Sequence, residues 1–128
     1  MLTDHRAALQ DVLKVLRRFT FLRLMVYHVP VQGDGAGKEM AAALRHLDRH
    51  HHTLAGGRGA DLVILGRGGG SMEDLWCFND ETLARAIATS RLPVVTGIGH
   101  EVDTSIADLV ADYHAHTPTE AAQVVTAS

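Results

Sequence analysis

Apolar positions along the chain switch between two spacings. In residues 5–18, Ala8, Leu9, Val12, Leu13, Val15 and Leu16 recur at the spacing of one helix face, and Arg17 and Arg18 follow where a cation suits the C-terminal dipole. A helix is predicted there. Residues 22–29 are a short apolar run closed by Pro30, the pattern of a strand, whereas residues 38–50 return to helical spacing through Met40, Ala43, Leu44 and Leu47. Residues 61–65 read as a second strand, 73–78 as a short helix, and 81–90 as a helix capped by Asp80. Residues 93–96 begin a third strand. The spacing over 104–113 predicts another helix, and Thr117-Pro118 opens a last one over 118–126. Neither an internal repeat nor a low-complexity tract interrupts the series.

Strands that alternate with helices predict an α/β fold: a three-layer, open, mainly parallel sheet with helices on both faces, in a Rossmann-like or flavodoxin-like arrangement. With 128 residues, of which 46% are hydrophobic, the chain has enough apolar surface for one core, so residues 1–128 are expected to form a single domain. Ligands of open parallel sheets bind beyond the carboxyl ends of the strands. The segments leaving those ends here are 30–35, 66–71 and 97–101, all glycine-rich. Function is expected where they converge.

The middle segment, Gly66-Arg67-Gly68-Gly69-Gly70-Ser71, follows the apolar run Leu62-Val63-Ile64-Leu65 and precedes a helix start. Backbone with few side chains ahead of a helix N-terminus offers N–H donors to an anion, and Arg67 adds a guanidinium fork. Phosphate is the ligand class this implies, bound by Arg67, Gly68, Gly69, Gly70 and Ser71. A dinucleotide fingerprint needs an acidic residue at the end of the next strand, where Val95-Thr96-Gly97 stands, and a Walker loop needs a Lys before Ser or Thr. Neither requirement is met. A glycine loop that merely turns tightly is the plainer alternative. In the third segment His100 suits proton transfer near neutral pH, and Asp103 three positions on is placed to orient it if a helix begins near Glu101. Asp103 also has a structural alternative, as a helix cap in Asp103-Thr104-Ser105-Ile106.

Charge narrows the choice of partner. A net charge of −3 with nine histidines argues against holding nucleic acid by bulk electrostatics, so any polynucleotide contact is expected to be local. The single cysteine, Cys77, fits a reducing compartment and reads as packing rather than as a nucleophile. No apolar run approaches membrane-spanning length and no signal pattern opens the chain, so a cytoplasmic location is expected. Three consecutive histidines, His50-His51-His52, cannot aim at one ion from a regular helix, and His114 and His116 lack further ligands at recognisable spacing. No metal and no cofactor is assigned.

Long ordered motifs carry a family resemblance. The run from Asp61 to Glu81, together with Gly99-His100-Glu101-Val102-Asp103, Ile106-Ala107-Asp108-Leu109-Val110-Ala111-Asp112 and Thr117-Pro118-Thr119, resembles the exodeoxyribonuclease VII large subunit. Residues 8–18 and Val31-Gln32-Gly33 fit in the same order. The resemblance implies a nuclease that degrades single-stranded DNA from either end to short oligonucleotides, without a strict need for metal and with several small subunits on each large one. By motif, its catalytic positions fall on Asp11, Arg67, His100 and Asp103; Asp11 is the one that loop chemistry does not select. The resemblance also implies an oligonucleotide-binding barrel and a long coiled-helix region, both expected to be absent from this chain. Against the family pattern, Thr3-Asp4-His5-Arg6 replaces a Thr/Ser-Pro-Thr-Gly-like turn, the strand before it is expected to be cut away at Met1, and His114 stands where the family usually has arginine. A phosphate- or nucleotide-binding module without catalysis is the other functional class open to these residues.

Overall fold

The computed structural model describes residues 1–57, 59–68, 72–98 and 104–127. Its helices are α1 (Arg6–Leu16), α2 (Ala36–His50), α3 (Leu54–Gly57), α4 (Glu81–Thr89), α5 (Ile106–Val110) and α6 (Pro118–Thr126), with 3₁₀ segments at His51–Thr53 and Met72–Asn79. Strands β1 (Val63–Gly66), β2 (Val94–Gly97) and β3 (Tyr113–Ala115) form a parallel sheet in the order β1-β2-β3. Ile64 lies beside Val95, and Thr96 beside His114.

Leu2 extends this order. It makes parallel bridges to Leu65 on one side and to Tyr27 on the other. Across the molecule the sequence therefore runs Tyr27, Leu2, β1, β2, β3, which is the 2-1-3-4-5 order of the flavodoxin-like kind. Side chains of successive strand residues point to opposite faces. Val63, Leu65 and Val94 pack with Met40 and Leu44 of α2, Leu83 and Ile87 of α4 and Ala107 of α5. Ile64, Val95 and Ala115 pack instead with Ala121 of α6, beside Val12, Leu16 and Ala122 at the contact of α1 with α6. The three-layer expectation is thus met.

Helix boundaries follow local chemistry closely. Asp80 accepts a hydrogen bond from Leu83 N at 3.0 Å, and Thr117 Oγ1 accepts one from Glu120 N at 3.0 Å with Pro118 just inside α6. Departures from the periodic reading occur where the sheet decides. The run 22–29 contributes only a bridge at Tyr27 rather than a full strand. The helical reading of 104–113 holds only for Ile106–Val110, because Asp112 returns the chain to the sheet. Its N–H donates to Val94 O at 2.9 Å and its carboxylate accepts from Val94 N at 2.7 Å. Tyr113 then opens β3. Residues 72–79 wind as 3₁₀ rather than α-helix.

Candidate active site

Every strand of a parallel sheet delivers its carboxyl end to one edge, and reversal of strand order opens a crevice there. In this chain the reversal falls between Leu2 and β1. The residues that follow Leu2 enter α1 through His5, its N-cap; those that follow β1 are Arg67 and Gly68. The two meet. His5 Nδ1 accepts from Ala8 N at 3.1 Å and from Gly68 N at 3.3 Å, which leaves the proton of the neutral ring on Nε2. A Cβ at Gly68 would stand 2.6 Å from the His5 ring, so the glycine permits the approach.

Neighbouring loops are tied together as well. Arg67 N donates to Gly97 O at 3.0 Å, joining the chain that leaves β1 to the chain that leaves β2. A Cβ on Gly97 would lie 2.8 Å from Thr117 O, so bare backbone is required beside the start of α6. Arg67 itself is 1% exposed. The guanidinium fork read from the sequence is thus withdrawn from bulk water into an interior where a charge interacts more strongly with its surroundings.

A polar pin holds the far side of this edge. Asp108, buried on α5, accepts from Thr96 Oγ1 at 2.8 Å, from Ser105 Oγ at 2.9 Å and from Ser105 N at 3.1 Å. Ser105 Oγ in turn accepts from Asp108 N at 3.2 Å, completing a capping box. His114 Nε2 lies 3.6 Å from the same carboxylate, and the His114 and His116 rings meet edge to face at 5.2 Å. The structure thus gives the capping role at α5 to Ser105. Ser105-Ile106-Ala107-Asp108 carries the capping-box spacing that marks this group in the sequence.

Of the residues selected from sequence, Arg67 and Gly68 stand at the crevice. Asp11 lies on α1 about 9 Å along the axis from His5, and among the described residues its carboxylate makes no hydrogen bond or ion pair. His100, Asp103, Gly69, Gly70 and Ser71 lie outside the described residues. His5 is the contact that periodicity and motif spacing do not reveal, since its partner is 63 positions away. No three His, Cys, Asp or Glu side chains gather as a metal ligand set among the described residues. Nor, among them, is any helix long and apolar enough to cross a membrane.

The family model for the exonuclease VII large subunit matches residues 3–128. The chain belongs to the exonuclease VII large-subunit family. It is 50% identical over 123 residues to the exodeoxyribonuclease 7 large subunit of Geotalea uraniireducens (strain Rf4), a match covering 95% of this chain and 26% of that protein. Proteins of the same description are 52% identical over 121 residues in Legionella pneumophila (strain Lens) and 51% identical over 120 residues in Syntrophotalea carbinolica. These matches cover 94% and 93% of this chain, and 26% and 28% of the respective relatives. The chain therefore spans about a quarter of the length of these exonuclease VII relatives.

Proposed function

We propose that this chain is the catalytic core of an exonuclease that hydrolyses phosphodiester bonds of single-stranded DNA to short oligonucleotides. The observation that carries the reading is the junction of the loops after β1 and β2, through Arg67 N and Gly97 O, at the edge where parallel sheets bind ligands. Gly68 N is spent on His5 Nδ1, so the reading assigns the phosphodiester to the amides of Gly69–Ser71 and the field of Arg67, which stabilise the negative charge that builds as the bond breaks. Water attacks phosphorus, the bond from phosphorus to the leaving oxygen breaks, and the leaving oxygen gains a proton. His100, oriented by Asp103, moves that proton or takes one from the water. Asp11 is the second carboxylate, a positioning group on α1. Ile98 and Thr104, which flank the His100 segment, belong to the carboxyl side of β2 and the approach to α5.

This reading needs no obligatory metal, includes small subunits bound to the full large subunit, and fits a cytoplasmic location. In the assembled enzyme, His100→Ala is expected to lower single-strand cleavage by about 100- to 10,000-fold, with activity of the parent enzyme persisting in excess chelator. Unchanged cleavage by that variant overturns the role of His100. DNA binding without any turnover by the parent enzyme identifies the phosphate-binding module instead.

A further inference from the structure

The 3₁₀ segment Met72–Asn79 buries Leu75 and Phe78 but turns Trp76 outward, 76% exposed. Its indole forms one wall of a cleft of about 520 Å³ opposite the glycine turn that opens α2, with Asp34, Asn79 and Asp80 also on the lining. Gly33, Gly35 and Gly37 line it too. Gly33 and Gly35 hold φ of +91° and +80°, and a Cβ on either would meet nothing within 4 Å.

Several contacts fix the walls. A Cβ on Gly37 would stand 2.5 Å from the Asp80 Cβ and 2.8 Å from Cys77 O, so α2 and the 3₁₀ segment pack at backbone distance. Cys77 Sγ donates to Val31 O at 3.5 Å, Asp80 Oδ1 accepts from Leu83 N at 3.0 Å, and Asn79 Oδ1 accepts from Ile106 N at 2.9 Å. The Trp76 ring accordingly projects from a built support.

Charge decides what enters. Asp34 and Asp80 repel a phosphate from the cleft, whereas a flat uncharged ring stacks on indole and an exocyclic amine donates to a carboxylate. We propose that this cleft is a nucleobase subsite: one base of the strand stacks on Trp76, with its amino group facing Asp34 or Asp80 and its phosphates outside. The proposal rests on single-stranded DNA being the substrate. It adds a stacking platform to an edge whose phosphate contacts are assigned to the Arg67 loop. Bases that carry an exocyclic amine, cytosine and adenine among them, are favoured over thymine.

Trp76 is the only tryptophan of the chain, so its fluorescence reports this cleft alone. Oligodeoxycytidylate is expected to quench it on binding, and an abasic phosphodiester chain of equal length to bind without quenching. Trp76→Ala should weaken oligodeoxycytidylate binding by about tenfold or more, the worth of one stacked base, with Trp76→Phe recovering most of the loss. Should Trp76→Ala fail to fold, quenching in the parent chain and the Phe variant still decide the matter. Oligodeoxycytidylate that binds without quenching, and equally to Trp76→Ala, overturns the subsite while the DNA reading stands. If neither the base-bearing nor the abasic chain binds, the subsite falls, whereas the DNA reading is decided separately by cleavage in the assembled enzyme. Equal affinity for oligothymidylate overturns the carboxylate contact to the amine.

Discussion

At the carboxyl edge of the sheet the chain leaves β1 and β2 through Gly66–Gly68 and Gly97, with a buried Arg67 between them. At the amino edge it enters β1 and β2 past an apolar groove of about 390 Å³, whose lining includes Leu16, Leu24, Met25, Leu62 and Leu92. One edge gathers glycine backbone around a buried guanidinium; the other presents aliphatic surface. The contrast follows from parallel strands, which send all their carboxyl ends one way, so that side-chain-poor loops and binding chemistry collect there. A carboxylate at the amino edge serves attachment instead. Asp48, near the end of α2, accepts from Arg91 N at 2.8 Å and Leu92 N at 3.2 Å and pairs with Arg91 Nε at 3.7 Å. It clips α2 to the chain entering β2.

Removing the charge from the carboxyl edge is the severest trial of that contrast. In the assembled enzyme, Arg67→Gln is expected to lower turnover by about 100- to 1,000-fold, the loss typical of one preorganised charge stabiliser. Wild-type turnover would erase the distinction between the edges. Asp48→Ala should do the converse, leaving cleavage intact while lowering unfolding free energy by about 1.5–3 kcal/mol at neutral pH, as measured by urea denaturation. Desolvation pushes the Asp48 carboxyl up, but the amides of Arg91 and Leu92 and the Arg91 charge outweigh it and hold the folded-state pKa below the ordinary value. A depressed carboxyl pKa contributes stability above the unfolded value, near 3.9, and loses it as pH falls through the folded one. The gap between wild type and Asp48→Ala should therefore narrow in acid. The smallest effect is expected at Phe21, 79% exposed on the groove's rim. Phe21→Ser should shift stability by no more than about 0.5 kcal/mol. A larger loss by the same denaturation measurement would mean that the amino edge is covered in solution.

Local rules carried the reading a long way where an element is long or capped. Thr117-Pro118 marks the start of α6, Asp80 marks that of α4, and the apolar run around Val63 to Leu65 identifies the first full strand, because caps and periodicity are short-range features. Tyr113–Ala115 was illegible for the opposite reason. Three residues are too few to show a period, and they are a strand because Val95, Thr96 and Gly97 lie alongside. Loop chemistry is enough to single out Arg67 and Gly68, which the structure describes, and His100 and Asp103, which lie outside the described residues, whereas Asp11 rests on motif resemblance, since an aspartate inside a helix looks like any solvated face.

By itself, then, the sequence determined the α/β alternation, most helix starts and the glycine-arginine loop, all set by residues within a few positions of one another. Only the tertiary structure decided that Leu2 lies between Tyr27 and β1, that His5 closes on Gly68, and that Trp76 faces a cleft while Phe78 is buried. These are contacts between distant segments. They arise when packing brings separate stretches of chain together, and no local pattern of residue types encodes which stretches will meet.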